Sequence, residues 1–237
     1  MKKIIILIIL FSSPFAALAL LFDGSNDYVA VPDSSSVDIA SDFSISMWLK
    51  TTSTANTVIL EKSNNNTNYQ MHMSSVTGGD LQFGICSSGT TCRVESNFKV
   101  SDGNWHHAVG TFSDGNNTLR IYIDGVLRNS NTNATDGLAA NTQSLLIGSR
   151  SGSFGFPGLL NDVRIYKREL SVNEVRQLYR GGIPSPAGLV GYWPLIGNSG
   201  GVFEPDFSGK GNHGTRTNSP IRATRPPFFA LFRFGRI

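Results

Sequence analysis

Hydrolysis of a glycosidic bond needs two carboxylates on opposite sides of the bond, about 5–10 Å apart. The glutamates of this 237-residue chain, Glu61, Glu95, Glu169, Glu174 and Glu204, are isolated from one another. A Gly-x-Ser-x-Gly match at 197–201 and a Gly-x-Gly-x-x-Gly match at 209–214 both lack the strand-then-helix context that a nucleophile elbow or a phosphate-binding loop needs. His106 and His107 are adjacent in an alternating run, so on a strand they face opposite ways and cannot share one metal ion without a bulge. The residue types point away from catalysis and toward binding. An asparagine-rich segment at 63–69 contains Asn66, Asn68 and Tyr69, and His72 follows on the next apolar run. Arg120 and Tyr122 form a second set. Both combine an aromatic surface with planar hydrogen-bonding groups, the mixture a sugar site uses. Solvated turns are the competing reading of the asparagines. Asn65, Asn116 and Asn133 each open an Asn-x-Thr sequon.

The elements that must position these residues are short strands punctuated by Asn, Gly, Asp and Ser. Phe43, Ile45, Met47 and Leu49 share one face of a predicted strand, while Ser44, Ser46, Trp48 and Lys50 share the other. Asp124 and Gly125 lie between two alternating runs and predict a two-residue type I′ hairpin. Cys86 and Cys92 flank a polar turn and are placed to form a disulfide across the end of a hairpin. It closes a short loop, and its contribution falls near the low end of about 2–4 kcal/mol. At 161–171 the run NDVRIYKRELS sends Val163 and Ile165 to one face and Asp162, Arg164 and Tyr166 to the other. Ser171 and Glu174 then make a capping box for one short helix that stops at Gly181.

These motifs, with WHHAVGTF at 105–112, LRIYIDGVL at 119–127, FDGSNDYV at 22–29 and FSISMWLK at 43–50, resemble the laminin-G-like branch of the concanavalin A-like lectin/glucanase superfamily. The resemblance spans about residues 20–182. It implies an all-β, two-sheet antiparallel jelly-roll sandwich with one short helix after the last main strand. It also implies a binding module, often with a structural calcium ion. Asp23, Gly24 and Asp162 match the positions that would hold calcium, and Asp27 is a weaker ligand. The hydrolase branch carries a Glu-x-Asp-x-(x)-Glu strand, which this chain lacks. Fold alone names no ligand. The expectation is a glycan or glycosylated surface, and the alternative is a structural or adhesion module with protein partners.

Residues 1–19 have the form of a secretory signal: Lys2 and Lys3, an apolar core, then Ala17 and Ala19 spaced for cleavage. An uncleaved anchor is the other reading, and it is the one route to a membrane; the expected location is secreted or cell-surface. Net charge is +3, with the basic excess after residue 180. The basic, phenylalanine-rich end superficially suggests nucleic acid, but in an exported chain it reads as a surface anchor or packed strand. Residues 183–237 look like the family's opening strands displaced to the end. They either start a truncated second domain or fold back onto the sandwich; fold-back is preferred, because an isolated strand pair is marginal in water.

Overall fold

Period-two alternation governs the strands. The computed structural model describes residues 18–62, 69–74, 78–85, 92–134, 138, 140–150, 153–196, 201–218 and 220–224. In chain order the strands are β1 (Leu18–Asp23), β2 (Tyr28–Val31), β3 (Phe43–Lys50), β4 (Thr57–Glu61), β5 (Gln70–Ser74), β6 (Asp80–Gly84), β7 (Arg93–Lys99) and β8 (Trp105–Ser113). They continue with β9 (Thr118–Ile123), β10 (Val126–Asn131), β11 (Leu145–Ile147) and β12 (Pro157–Tyr166). After helix α1 (Val172–Tyr179) come β13 (Leu189–Trp193), β14 (Phe203–Glu204), β15 (Gly214–Thr217) and β16 (Ile221–Thr224).

Two antiparallel sheets form a sandwich of jelly-roll type. The first runs β10-β9-β8-β3-β12-β1-β16, with β13 pairing the second half of β12. The second runs β14-β15-β2-β11-β4-β5-β6-β7. Between them lies one apolar core that includes Phe43, Ile45, Met47, Leu49, Phe83, Ile121, Val163 and Trp193. The sheets approach so closely at Gly110 that a Cβ there would sit 2.4 Å from the Phe83 ring.

The outer face of the first sheet is also buried, where sequence alternation alone predicts exposure. The capping box starts α1, with the Ser171 side chain accepting from the Glu174 backbone and Glu174 reaching back to Ser171. Val175 and Leu178 on its inner stripe pack with Val109, Tyr122, Tyr166 and Leu170 into a second, smaller core. Trp48 stacks on Tyr179 at its far end.

The chain after Gly182 contributes strands to both sheets: β13 pairs β12, β15 pairs β2, and β16 pairs β1. The loop before β15 is held by side chains. Asp206 accepts from the backbone of Tyr192, Ser208 and Asn212, and the Asn212 side chain bonds Ser34, Ser36 and the Val190 carbonyl. At the other end, Leu18 and Ala19 of the expected signal open β1, and Ala19 is fully buried. Residues 1–17 lie outside the described residues.

Candidate functional site

The outer face of the second sheet carries the polar residues that face away from the core. One cross-strand row joins Thr215, Ala30, Leu146, Glu61, Gln70, Gly84 and Arg93, each the registered partner of the next. The neighbouring row places His72 beside Gln82 and Gln82 beside Glu95. Strand alternation sets the direction: in β5, Gln70 and His72 point out while Met71 and Met73 enter the core.

Glu61 is the centre of this face. Arg150 Nε donates to Glu61 Oε1 at 2.9 Å and Oε2 at 3.0 Å, and Arg150 Nη2 donates to Oε2 at 2.5 Å. His72 Nε2 lies 3.1 Å from the same Oε2. Burial pushes the Glu61 carboxyl upward, but the bonds from His72 and Arg150 outweigh it and hold the group below its ordinary range. Further along, Arg93 Nη1 donates to Gln82 Oε1 at 3.1 Å while Gln82 Nε2 donates to Glu95 at 2.9 Å, so this amide is oriented at both ends.

A cavity of about 270 Å³ opens beside Glu61, lined by Tyr28, Ala30, Gln143, Ser144, Leu146 and Arg150. The Phe154 ring lies 5.6 Å from the Arg150 guanidinium and is 54% exposed. Its loop is tied to the sheet, since Val58 N donates to the Phe154 carbonyl at 2.8 Å. A larger cavity, about 580 Å³, lies on the other sheet, but its wall is mainly apolar, with Leu21, Pro157, Leu159 and Ile221. Asp23, Asp27, Lys50, Thr51, Thr52 and Asn218 also line it.

The structure separates the residues predicted from sequence. His72 is part of the Glu61 cluster. Tyr69 is not a surface platform: it is fully buried in the core and its hydroxyl donates to the Val37 carbonyl, because the inward register of its strand claims it. Arg120 and Tyr122 share a face of β9 and a small cleft with Glu169 and Ser171, on the outer face of the opposite sheet. Arg120 is ion-paired to Glu169, and Tyr122 is largely covered by α1. Asn66, Asn68 and Cys86 lie outside the described residues, while Cys92 is buried. Sequence reasoning passed over Glu61, Arg150, Tyr28 and Phe154. The available signal was the outward register of Glu61 at the end of TVILE.

The expected calcium ligands do not assemble. Asp23 pairs with Pro157, whereas Asp162 lies five residues further along β12, a separation of about 16 Å at strand rise. Both Asp162 oxygens are engaged by the buried Arg164, at 2.7 and 3.2 Å, and Arg164 in turn covers the Tyr192 ring. Gly24 sits at φ +82°, in close contact with Pro157, and closes a tight turn in which Asp27 accepts from the Asp23 amide. Among the described residues no group of three His, Cys, Asp or Glu side chains converges as metal ligands. Asp23, Gly24 and Asp162 therefore do not fit a shared ion.

Residues 23–176 are matched by a family model described as the concanavalin A-like lectin/glucanases superfamily. The chain belongs to this superfamily. Its fold is similar to that of a candidate carbohydrate-binding protein from Bacteroides ovatus, with 20% identity, a TM-score of 0.71, and coverage of 88% of this chain and 60% of that one. The chain thus spans less than two thirds of that protein. A heptameric pentraxin from Limulus polyphemus matches at 14% identity and TM-score 0.63 over 91% of this chain and 98% of its own. Domain 4 of an extracellular arabinanase from Geobacillus stearothermophilus, solved with arabinotriose, matches at 22% and 0.54 over 68% and 76%. No curated protein matches the sequence. At these identities the likeness establishes the fold, and superfamily neighbours of this kind are mostly binding modules.

Proposed function

We propose that the chain is an exported, non-catalytic carbohydrate-binding module whose glycan site is the outer face of the second sheet at Glu61, His72 and Arg150. The observation that carries this reading is the fixed, planar donor–acceptor set around Glu61 beside a cavity lined by Tyr28 and Arg150, with the exposed Phe154 ring 5.6 Å from the Arg150 guanidinium. Such a set offers directional hydrogen bonds to sugar hydroxyls and an aromatic surface to a pyranose or furanose face. The arabinotriose bound to the arabinanase domain gives a precedent in ligand class on this fold. A hydrolytic reading lacks support: Glu61 on β4 and Glu95 on β7 are separated by two intervening strands, about 14 Å, beyond the spacing that hydrolysis uses. Export goes with a Cys86–Cys92 disulfide, which mass spectrometry of the unreduced protein would detect.

The test is a glycan array with the exported chain in calcium and again in chelator, followed by calorimetry on the best ligand. Glu61→Gln and Arg150→Ala should each weaken binding at least tenfold while the fold persists. Unchanged affinity in both variants would move the site elsewhere. A second reading, protein adhesion, is favoured by one feature: Val202, Phe203 and Phe207 are exposed beside the open edge at β14. Silence of the folded protein on the array would favour it.

A further inference from the structure

Lys62 is 1% exposed, which is rare for a lysine and requires its charge to be fully compensated. Among the described residues, five oxygens surround its Nζ. Asp33 Oδ1, Asp38 Oδ1 and the Asn141 carbonyl stand at 2.8 Å, the Gln143 carbonyl at 3.0 Å and Asn141 Oδ1 at 3.4 Å. An ammonium has three protons, so the cage holds more acceptors than one lysine can serve with separate bonds. Two carboxylates, two backbone carbonyls and an amide oxygen around one point are the ligand types of a hard divalent cation, which takes six to eight oxygens. The cage draws on two loops, one between β2 and β3 and one before β11, and the cation at its centre joins them. Gln143 also lines the cavity beside Glu61. The Asp33 and Asp38 side chains are 34% and 23% exposed, so the cage is reachable from solvent on their side.

We propose that this cage is a calcium-type cation site filled by the protein's own Lys62 ammonium, so that the native chain needs no metal to join these loops. This does not depend on the glycan reading. Removing the side chain beyond Cβ leaves two carboxylates facing a vacated, oxygen-lined space, and a divalent ion restores the charge balance.

The experiment compares the exported native chain with Lys62→Ala, both purified in chelator and then titrated with calcium, reading thermal unfolding. Millimolar calcium should raise the variant's midpoint by about 5–10 °C and leave the native chain within 1 °C at this site. Terbium gives a direct second readout, because Tyr69 donates to the carbonyl of Val37, next to Asp38, and can sensitise a bound lanthanide. Should Lys62→Ala fold poorly without metal, Lys62→Ala/Asp38→Asn lowers the repulsion and keeps the comparison open. It should fold in chelator and bind terbium at least tenfold more weakly than the single variant refolded in calcium. Absence of a calcium shift and of sensitised terbium in folded Lys62→Ala would overturn the proposal. So would an equal terbium affinity in the double variant, or a shift of the same size in the native chain that Asp38→Asn abolishes.

Discussion

At the scale of single residues, the two adjacent histidines of β8 show how strand alternation assigns opposite electrostatics to neighbours. His107 faces α1, its Nε2 2.9 Å from Ser46 Oγ and its ring beside Trp48 and Tyr179. Burial lowers its pKa to about 4, against the attraction of Asp162 and Asp124 and with some help from Arg164. A folded-state value below the unfolded one makes His107 stabilising above about pH 6.5, with that contribution lost as pH falls toward 4. The change is about 3 kcal/mol at 1.36 kcal/mol per unit. Denaturant unfolding of the native chain should therefore show a stability decline between pH 6.5 and 4 that is largely absent in His107→Gln. His106 behaves in the opposite sense. Its Nδ1 is 2.8 Å from Asp124 and its Nε2 3.1 Å from Asp102; the Asp124 bond leads in raising its pKa, against partial burial. Its contribution is present below about pH 6.5 and is lost as pH rises through the elevated value. His106→Gln should thus flatten the slope on the neutral side and leave the acid side alone.

At the scale of elements, α1 is short and depends on its ends. Ser171 and Glu174 satisfy each other's backbone groups, and Arg168 holds Glu174 through two bonds of 2.9 and 2.7 Å that, opposing its partial burial, lower the carboxyl to about 2. Loss of the cap in Ser171→Ala should cost about 1 kcal/mol. In a chain of this size that lowers the thermal midpoint by about 2–4 °C, measurable by scanning calorimetry. This element was legible from its Ser-x-x-Glu spacing alone, as was the β9–β10 hairpin, where Asp124 and Gly125 both take positive φ. The core faces of β3 and β12 were equally legible, since Phe43 and Val163 are inward by simple alternation. Asp162 was not. A side chain's face depends on register with strands remote in sequence, and Asp162 sits at φ +55° inside a register shift between β12 and β3 that no periodicity announces. The Glu61 cluster was hidden for the same reason, because it joins Glu61, His72 and Arg150 through sheet pairing and a loop 89 residues away.

At the scale of the whole molecule, the strands after Gly182 bear on three different edges. β13 covers the half of β12 that carries Arg164 and Tyr166, β15 covers β2, and β16 covers β1. Trp193 is fully buried in the main core and its Nε1 donates to the Asn212 carbonyl at 2.8 Å, so the tail brings both apolar mass and its own lock. We propose on these pairings that residues 183–237 complete the sandwich rather than begin another. Truncation after Gly182 would strip pairing partners from β12, β2 and β1 together and leave a void where Trp193, Val190 and Leu195 pack. Loss of one buried tryptophan alone typically costs about 3–5 kcal/mol, a large part of the 5–15 kcal/mol that holds a domain folded. The truncated chain should therefore be insoluble or lack a cooperative thermal transition. Hydrogen exchange on the intact protein should show β12 and β13 opening as one unit, because each supplies the other's backbone partners. A truncated protein as stable as the full chain, or a tail that exchanges fast while β12 stays protected, would mean that the sandwich is already complete at Gly182.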